Sequence, residues 1–463
     1  MKNKTKFQKD TNWIHFTGIA GVALAPLAIE LKKLGHKVTG TDTDIYEPIK
    51  GLLKTADIDL YNEYTFLNLV DGDFVPHLVI TGAGVSQKNK ELLFGKKQEI
   101  AIKHFAEALG ELIIENNSVV VAGTYAKTTI TAMLVRIFQE TKSEISYMFG
   151  GVTVDGLPSA HLKTAKTLFS VVEGDEYISS RWDIKSKFFY YKPKYLILTG
   201  IKWDHTDIFK TEKEYINNFQ KLVEQVPQDG IIFANFSDKN VKKVASVAKC
   251  KVIRYTSEEL EKWVNQNNIE VSILGSFNTL NAAVAAKFAV DILKQDLGKV
   301  QMALKNFEGI KRRLEIRYFN TDGDLNDSQI IVLDDFASSP PKVAGAINAI
   351  KGEFPKHKLV IVYEPNTGNR TKGSLGEFEG VFDDVEALVL PKFKKLMKST
   401  ETKFLNEKEF AKGIGNHSNV SVYENDKDLI NSLVKLAENK PTVIAFMSSQ
   451  GMEDRIQSLI AKL

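Results

Sequence analysis

Glycine, lysine and threonine stand together between an apolar run and a helical one. Ser118 to Ala122 is apolar, Gly123-Thr124-Tyr125-Ala126-Lys127-Thr128-Thr129 follows, and ITAMLVRIF continues with helical spacing. Strand, loop, Lys-Thr and helix is the context in which backbone N–H groups and a lysine cradle phosphates. Gly123, Thr124, Ala126, Lys127, Thr128 and Thr129 are therefore the candidate phosphate residues. The standard spacing asks for glycine immediately before the lysine and again five residues earlier, where Ala126 and Val121 stand instead. The competing reading is a surface lysine at a helix start. It is weakened because a cation at the positive end of a helix dipole is unfavourable unless an anion binds there.

Acidic residues follow two further strand-like runs. Thr167 to Val172 ends in Glu173-Gly174-Asp175-Glu176, and Tyr195 to Thr199 is followed by Trp203-Asp204-His205-Thr206-Asp207. Parallel strands deliver such residues to their carboxyl ends, where the Mg2+ of a nucleotide needs hard ligands. Solvated acidic turns and a structural histidine are the alternatives. Asn278 and Asn281 lie on one face of the first turn of an Ala-rich helix, able to cap it or to contact a base or phosphate. Arg312 and Arg313, in Gly309 to Glu315, suit phosphate neutralisation.

The elements that must position these groups alternate strand with helix. WIHFTGIAGVALAPLAIELKKLGHKVTGTD, from Trp13, is a β-α-β unit in which Gly18 and Gly21 open a helix. The third glycine of the dinucleotide fingerprint is missing, because Leu24 occupies its place. His77 to Thr81 ends in Gly82-Ala83-Gly84, a second glycine loop at the same sheet edge. After the polar stretch Asp322 to Asp327, Ile330 to Leu333 leads into Asp334-Asp335-Phe336-Ala337-Ser338-Ser339-Pro340-Pro341. Runs at Leu359 to Tyr363, Ala387 to Leu390 and Val443 to Met447 then alternate with helices. The expected fold class is α/β with three regions: 1–113 and 319–463 Rossmann-like, and 114–318 a phosphate-loop domain.

Composition narrows the function classes. The 463 residues carry 61 Lys and Arg against 58 Asp and Glu, a formal charge of +3, too small at this size to imply a nucleic-acid or membrane surface. A single cysteine, Cys250, excludes an internal disulfide and any multi-cysteine metal site in one chain. Lys2, Lys4, Lys6 and Lys9 precede the apolar stretch Ile19 to Leu31. Pro26 and Glu30 interrupt that stretch and Trp13 to Phe16 reads as a strand, so an export signal is rejected and a cytoplasmic protein without membrane insertion is expected. The oligomeric state is left unassigned.

Taken together, these loops resemble the Mur ligases, ATP-dependent amide-forming enzymes of peptidoglycan synthesis, over essentially the whole chain. VVEGDEYISSRWDIKSKFFYYKPKYLILTGIKWDHTDIF, with its segment Asp183 to Pro193, and the terminal VIAFMSSQGMED look most like the Mpl-type branch. That branch joins UDP-N-acetylmuramate to a murein tripeptide, whereas the nearest rival branch joins it to L-alanine. The resemblance implies that Lys127 holds the β- and γ-phosphates of ATP, and that Thr128, Glu173 and His205 hold Mg2+. It implies that Asn278 and Asn281 line the nucleotide site, with Arg313 and Asp335 completing it. Gly18, Gly21, Asp42 and the Gly82 loop would receive the UDP-sugar, and Arg370 would face the peptide or amino-acid amine. Ala126 for glycine and Ser338 for a histidine are departures, which leave a nucleotide-binding pseudoenzyme as another class. A dinucleotide-dependent oxidoreductase, suggested by the first β-α-β unit, leaves the later phosphate-type loops unexplained.

Overall fold

A computed structural model describes residues 12–45, 47, 49–205, 208–321, 323–394, 404–414, 419–438 and 440–463. Lys2, Lys4, Lys6, Lys9, Thr206, Asp207 and Asp322 lie outside them. Within the described residues no helix is long and apolar enough to cross a membrane. Ile19 to Leu31 instead ends inside the helix Leu24–Lys33, whose apolar side chains pack into a core.

The strands form three sheets. The first contains β1 (Trp13–Thr17), β2 (Lys37–Thr41), β3 (Asp59–Tyr61), β4 (Leu78–Thr81) and β5 (Ala101–His104), all parallel in the order β3-β2-β1-β4-β5. The second contains β6 (Ser118–Ala122), β7 (Ile145–Met148), β8 (Ala160–His161), β9 (Phe169–Gly174), β10 (Tyr195–Leu198), β11 (Ile231–Asn235) and β12 (Lys251–Tyr255). Its order is β12-β11-β10-β6-β9-β7-β8, with only β8 antiparallel to its neighbour. The third contains β13 (Glu315–Phe319), β14 (Ile330–Asp335), β15 (Lys358–Glu364), β16 (Ala387–Leu390), β17 (Val420–Val422) and β18 (Thr442–Ser448). There the order is β13-β14-β18-β15-β16-β17, with only β13 antiparallel. The chain divides into two compact units: Met1–Ser272 with Thr279–Glu308, which holds the first two sheets, and Ile273–Asn278 with Gly309–Leu463, which holds the third.

Central strands such as Ser118–Ala122 and Thr442–Ser448 are buried along their whole length, which is why they read as unbroken apolar runs rather than alternating ones. β9 and β14 continue past their apolar residues in a way that matters for the site. β9 extends to Gly174, where a Cβ would stand 2.8 Å from Val120, and β14 extends to Asp335, opposite Met447 of β18. Glu173, Asp334 and Asp335 are consequently strand residues, with side-chain directions fixed by the pleat.

A polar network holds the carboxyl ends of β1 and β2. Glu91, on the helix Lys90–Lys97, accepts from Thr17 Oγ1 (2.8 Å), Thr41 Oγ1 (2.6 Å) and Asn68 Nδ2 (2.8 Å), and lies 3.3 Å from His15 Nε2. All these side chains are buried. Trp13 Nε1 donates to Thr39 Oγ1 (2.9 Å), which also meets His15 Nδ1 (2.8 Å), so the polar side chains of this network find partners in one another.

Asp334 lies 3.5 Å from Arg312 Nε and 3.6 Å from Arg317 Nη1, almost out of solvent. Burial raises its carboxyl to about 6; the two guanidiniums oppose the shift, and Glu315 and Asp335 add to it. A carboxyl raised by folding binds more protons in the native state, so its contribution to stability falls as pH rises from 4 to 6 and is constant above. The thermal midpoint of the wild type relative to Asp334→Asn is therefore expected to fall over that window, by the equivalent of about 2 kcal/mol. A difference that is flat, or that rises with pH, contradicts the assignment.

Candidate active site

In the first unit the loop after β6 is closed by the loop after β10. Gly123 has φ +140°, and a Cβ there would stand 2.2 Å from Thr199 Oγ1 and 2.9 Å from Gly200 O, so the position requires glycine. Thr124 N donates to Gly200 O (2.7 Å), Thr124 Oγ1 to Lys202 O (2.8 Å) and Thr199 Oγ1 to Tyr125 O (2.8 Å). Ala126 follows at φ +61°, immediately before the helix Lys127–Glu140, and provides no side-chain cap. The first-turn N–H groups of such a helix are suited to an external anion. Thr129 is buried in the same turn.

Two carboxylates divide the polar groups of this loop. Glu173 accepts from Thr128 Oγ1 (2.9 Å) and from Gly150 N (2.7 Å). Glu176 accepts from Lys127 Nζ (2.8 Å), which also donates to Gly123 O (2.7 Å). Burial alone would depress the Lys127 ammonium, but Glu176, Glu173 and Asp175 outweigh it and hold the ammonium above the ordinary lysine range. His205 Nε2 lies 3.7 Å from Glu176 Oε1, and its ring meets Tyr177 edge-on at 5.0 Å. No three His, Cys, Asp or Glu side chains converge as a metal set among the described residues. The hard oxygens brought together are those of Thr128 and Glu173, which fit an oxygen-seeking ion such as Mg2+. Glu176 was not among the residues singled out from the sequence, although it closes the acidic run that contains Glu173. Its partner Tyr215, on the helix Glu212–Glu224, carries no motif signal at all.

The glycine loops of the first sheet lie against each other. A Cβ on Gly18, at φ +86°, would be 3.0 Å from Val85 and 3.9 Å from Gly82 N; a Cβ on Gly82 would be 3.0 Å from Leu24. Gly21 N donates to Gly18 O (3.4 Å), which tightens the turn. Asp42, at the end of β2, accepts from Ala20 N (3.0 Å) and Thr43 N (2.9 Å), and burial nevertheless raises its carboxyl above the usual range. The strand order reverses between β1 and β4, and that switch point is where open α/β sheets take ligands.

The second unit carries all but one of the remaining candidates. Asn278 Nδ2 donates to Leu274 O (2.6 Å), whereas Asn281, on the same helix Ser276–Lys287, belongs to the first unit. Asp335 is buried and accepts from Leu314 N and Ala337 N, each at 2.7 Å, which shapes the turn that carries Arg313; the Arg313 guanidinium lies over Phe336 at 5.4 Å. Burial raises the Asp335 carboxyl, opposed by Arg313. Arg370 is buried, donates to Lys394 O (2.9 Å) and Leu405 O (3.4 Å), and lies over Phe393 at 4.8 Å. Its guanidinium thus anchors backbone, and its Nε is buried without an acceptor among the described residues. Ser338 is also buried, and its carbonyl accepts from Tyr363 OH (2.7 Å).

A phosphate-type loop with paired carboxylates, on one of three largely parallel sheets, defines a nucleotide-dependent α/β enzyme. Residues 13–116 match the Mur ligase family, catalytic domain, and residues 121–289 the Mur ligase middle domain. UDP-N-acetylmuramate–L-alanine ligase of Clostridium acetobutylicum is 30% identical over 398 residues, 81% of this chain and 82% of that protein. Among solved structures, a murein peptide ligase from Psychrobacter arcticus superposes with a TM-score of 0.68 at 23% identity, covering 97% of this chain and 98% of the other. UDP-N-acetylmuramate–alanine ligase from Thermotoga maritima gives 0.72 at 19% identity, covering 97% and 99%. The chain belongs to the Mur ligase family. It is an ATP-dependent ligase that forms amide bonds.

The loop geometry has two testable consequences. Ala126→Gly is expected to raise the thermal midpoint, by relieving about 1 kcal/mol of left-handed backbone strain. Gly123→Ala is expected to weaken ADP binding about tenfold or more, because its Cβ displaces Thr199. An unchanged midpoint for the first, or wild-type ADP affinity for the second, contradicts the described loop.

Proposed function

We propose that this enzyme joins the carboxylate of UDP-N-acetylmuramate to the amino group of a murein tripeptide through an acyl phosphate, in peptidoglycan recycling or synthesis. The observation that carries the reading is the Lys127, Thr128, Glu173 and Glu176 constellation at the start of a helix.

Condensing a carboxylate with an amine in water is uphill, and ATP supplies the difference. A carboxylate oxygen attacks the γ-phosphorus, the bond to ADP breaks, and the amine then displaces phosphate from the acyl carbon and loses a proton. This route needs charge neutralisation and alignment rather than an enzyme nucleophile. Lys127 meets the β- and γ-phosphates, while the N–H groups after Ala126 hold the remaining phosphate charge. Thr128 and Glu173, with His205 nearby, would hold Mg2+, which when bound neutralises phosphate charge. Asn278, Asn281, Arg313 and Asp335 serve the nucleotide. Gly18, Gly21, Asp42 and Gly82 form the crevice for the UDP-sugar. Arg370 shapes the place of the amine component by fixing the backbone at Lys394 and Leu405.

The sequence from Asp183 to Pro193 supports the longer acceptor. Phe188 and Tyr191 of this segment are buried, Asp183 accepts from Tyr190 OH, and its Oδ2 lies 3.3 Å from His104 Nε2. The fold of the segment is thereby fixed, while Ile184 within it and Trp182 just before it are exposed, 81% and 38%. Those apolar side chains are a surface a peptide can use and free alanine has no need of. The second reading, L-alanine as acceptor, is favoured by the name of the 30% identical Clostridium relative.

Phosphate release with ATP, UDP-N-acetylmuramate and either acceptor decides between them. The tripeptide is expected to have the higher kcat/KM by about tenfold or more, since a site built for a peptide leaves polar groups unpaired around alanine. A preference for alanine moves the enzyme to the second reading. Lys127→Ala is expected to fold with a lowered thermal midpoint, because Glu176 loses its ammonium, and to lose on the order of 10³-fold in rate; turnover within tenfold of wild type sinks the assignment of this loop.

A further inference from the structure

Glu176 is the counter-ion of Lys127, and it is itself held from behind. Its side chain is 1% exposed, and that of Lys127 is 13% exposed. Its second oxygen accepts from Tyr215 OH (3.1 Å), and the same hydroxyl lies 3.0 Å from Thr124 Oγ1. Thr124 Oγ1 in turn accepts from Lys202 N (3.0 Å) and donates to Lys202 O (2.8 Å). The backbone of Glu176 is pinned as well, because Ser186 Oγ donates to its carbonyl (2.5 Å). Tyr215 is fully buried, so its hydroxyl has no water to exchange for these partners. The phenol thus holds the carboxylate opposite Lys127 and lies against Thr124, whose own hydroxyl links the loop to the chain after β10.

We infer that Glu176, locked by Tyr215, is a positioning residue that holds Lys127 in place on the loop and competes with nucleotide phosphate for it. The inference rests on the reading of this loop as the ATP site. A buried ammonium without an anion turns out to solvent or gives up its proton, whereas one held by an immobile carboxylate stays where the phosphates arrive. The arrangement has a cost in ground-state affinity, because incoming phosphate must share Lys127 with a fixed negative charge. The return is alignment during phosphoryl transfer. Glu173 does not share this task, since its oxygens are engaged by Thr128 and Gly150.

The expected signature is a split between binding and turnover. Glu176→Gln keeps an acceptor for Lys127 but removes the competing charge, so ADP measured by calorimetry without Mg2+ should bind about three- to tenfold tighter. The kcat should fall about tenfold or more. Glu176→Asp should return ADP affinity towards wild type. Tyr215→Phe, which removes one oxygen and retains the ring packing, should leave ADP affinity within about twofold and lower kcat several-fold. A merely structural Glu176 predicts instead that affinity and kcat fall together with thermal stability. That outcome, or a Glu176→Gln variant indistinguishable from wild type, overturns the inference. If Glu176→Gln does not fold, Tyr215→Phe decides alone: an unchanged kcat overturns the inference. Lys127→Ala is the control that separates the two levels. If it binds ADP like wild type, the loop assignment fails and the inference with it. If it loses ADP while Glu176→Gln gains none, the inference alone fails.

Discussion

A largely buried ammonium at the positive end of a helix is the constraint on which the first unit depends. Lys127 sits where the helix dipole repels it and where burial strips its water, two effects that together would cost several kcal/mol if nothing opposed them. What opposes them is a set of carboxylates delivered by a neighbouring strand. β9 lies directly beside β6, so its carboxyl end places Glu173 and Glu176 against the loop that β6 feeds. On the other side, β10 supplies Thr199, Gly200 and Lys202, which close the loop from above. The order of strands in the sheet is thus a statement about charge: the cation, its anions and the clamp come from three adjacent strands.

The first sheet solves a related problem without a cation. Its glycine turns must approach each other closely, and they are held there by Asp42 at the end of β2 and by the interior network around Glu91. Because Thr17 and Thr41 are the last residues of their strands, fixing their hydroxyls fixes where the loops begin. A fully partnered buried carboxylate serves rigidity here, since any member left unpaired would cost more than the network contributes. Both sheets put irregular, glycine-bearing backbone at the carboxyl edge and build the support beneath it.

Much of this was legible in the residues themselves. Buried parallel strands read as apolar runs, and the order strand, glycine loop, Lys-Thr, helix located the turn between β6 and the helix Lys127–Glu140 to the residue. Glycine at 123 and alanine at 126 were visible, but their backbone angles were not. Alanine at φ +61° is a strained solution that spacing cannot distinguish from a relaxed one. The ends of β9 and β14 were misplaced because Gly174, Asp334 and Asp335 are poor strand formers that tertiary pairing overrides. Short or partly exposed strands such as Asp59–Tyr61 and Val420–Val422 carry too few apolar residues to announce themselves. Tyr215 escaped because its importance comes from a contact 91 residues away in sequence, to Thr124, and an amphipathic helix gives no reason to single out one buried aromatic. Arg370 was read as facing the amine component; that its guanidinium also binds the carbonyls of Lys394 and Leu405 could not be read from the sequence, because those partners lie 24 and 35 residues away.

The central claim is that the loop at Lys127 activates a carboxylate by phosphorylating it. Oxygen bookkeeping tests this most directly. UDP-N-acetylmuramate labelled with 18O in its carboxylate, incubated with enzyme, ATP and the amine acceptor, should yield inorganic phosphate carrying one labelled oxygen per amide formed, read by mass spectrometry or 31P NMR. An acyl phosphate cannot break down to amide without that transfer. Amide formed with no 18O in the released phosphate would contradict the account.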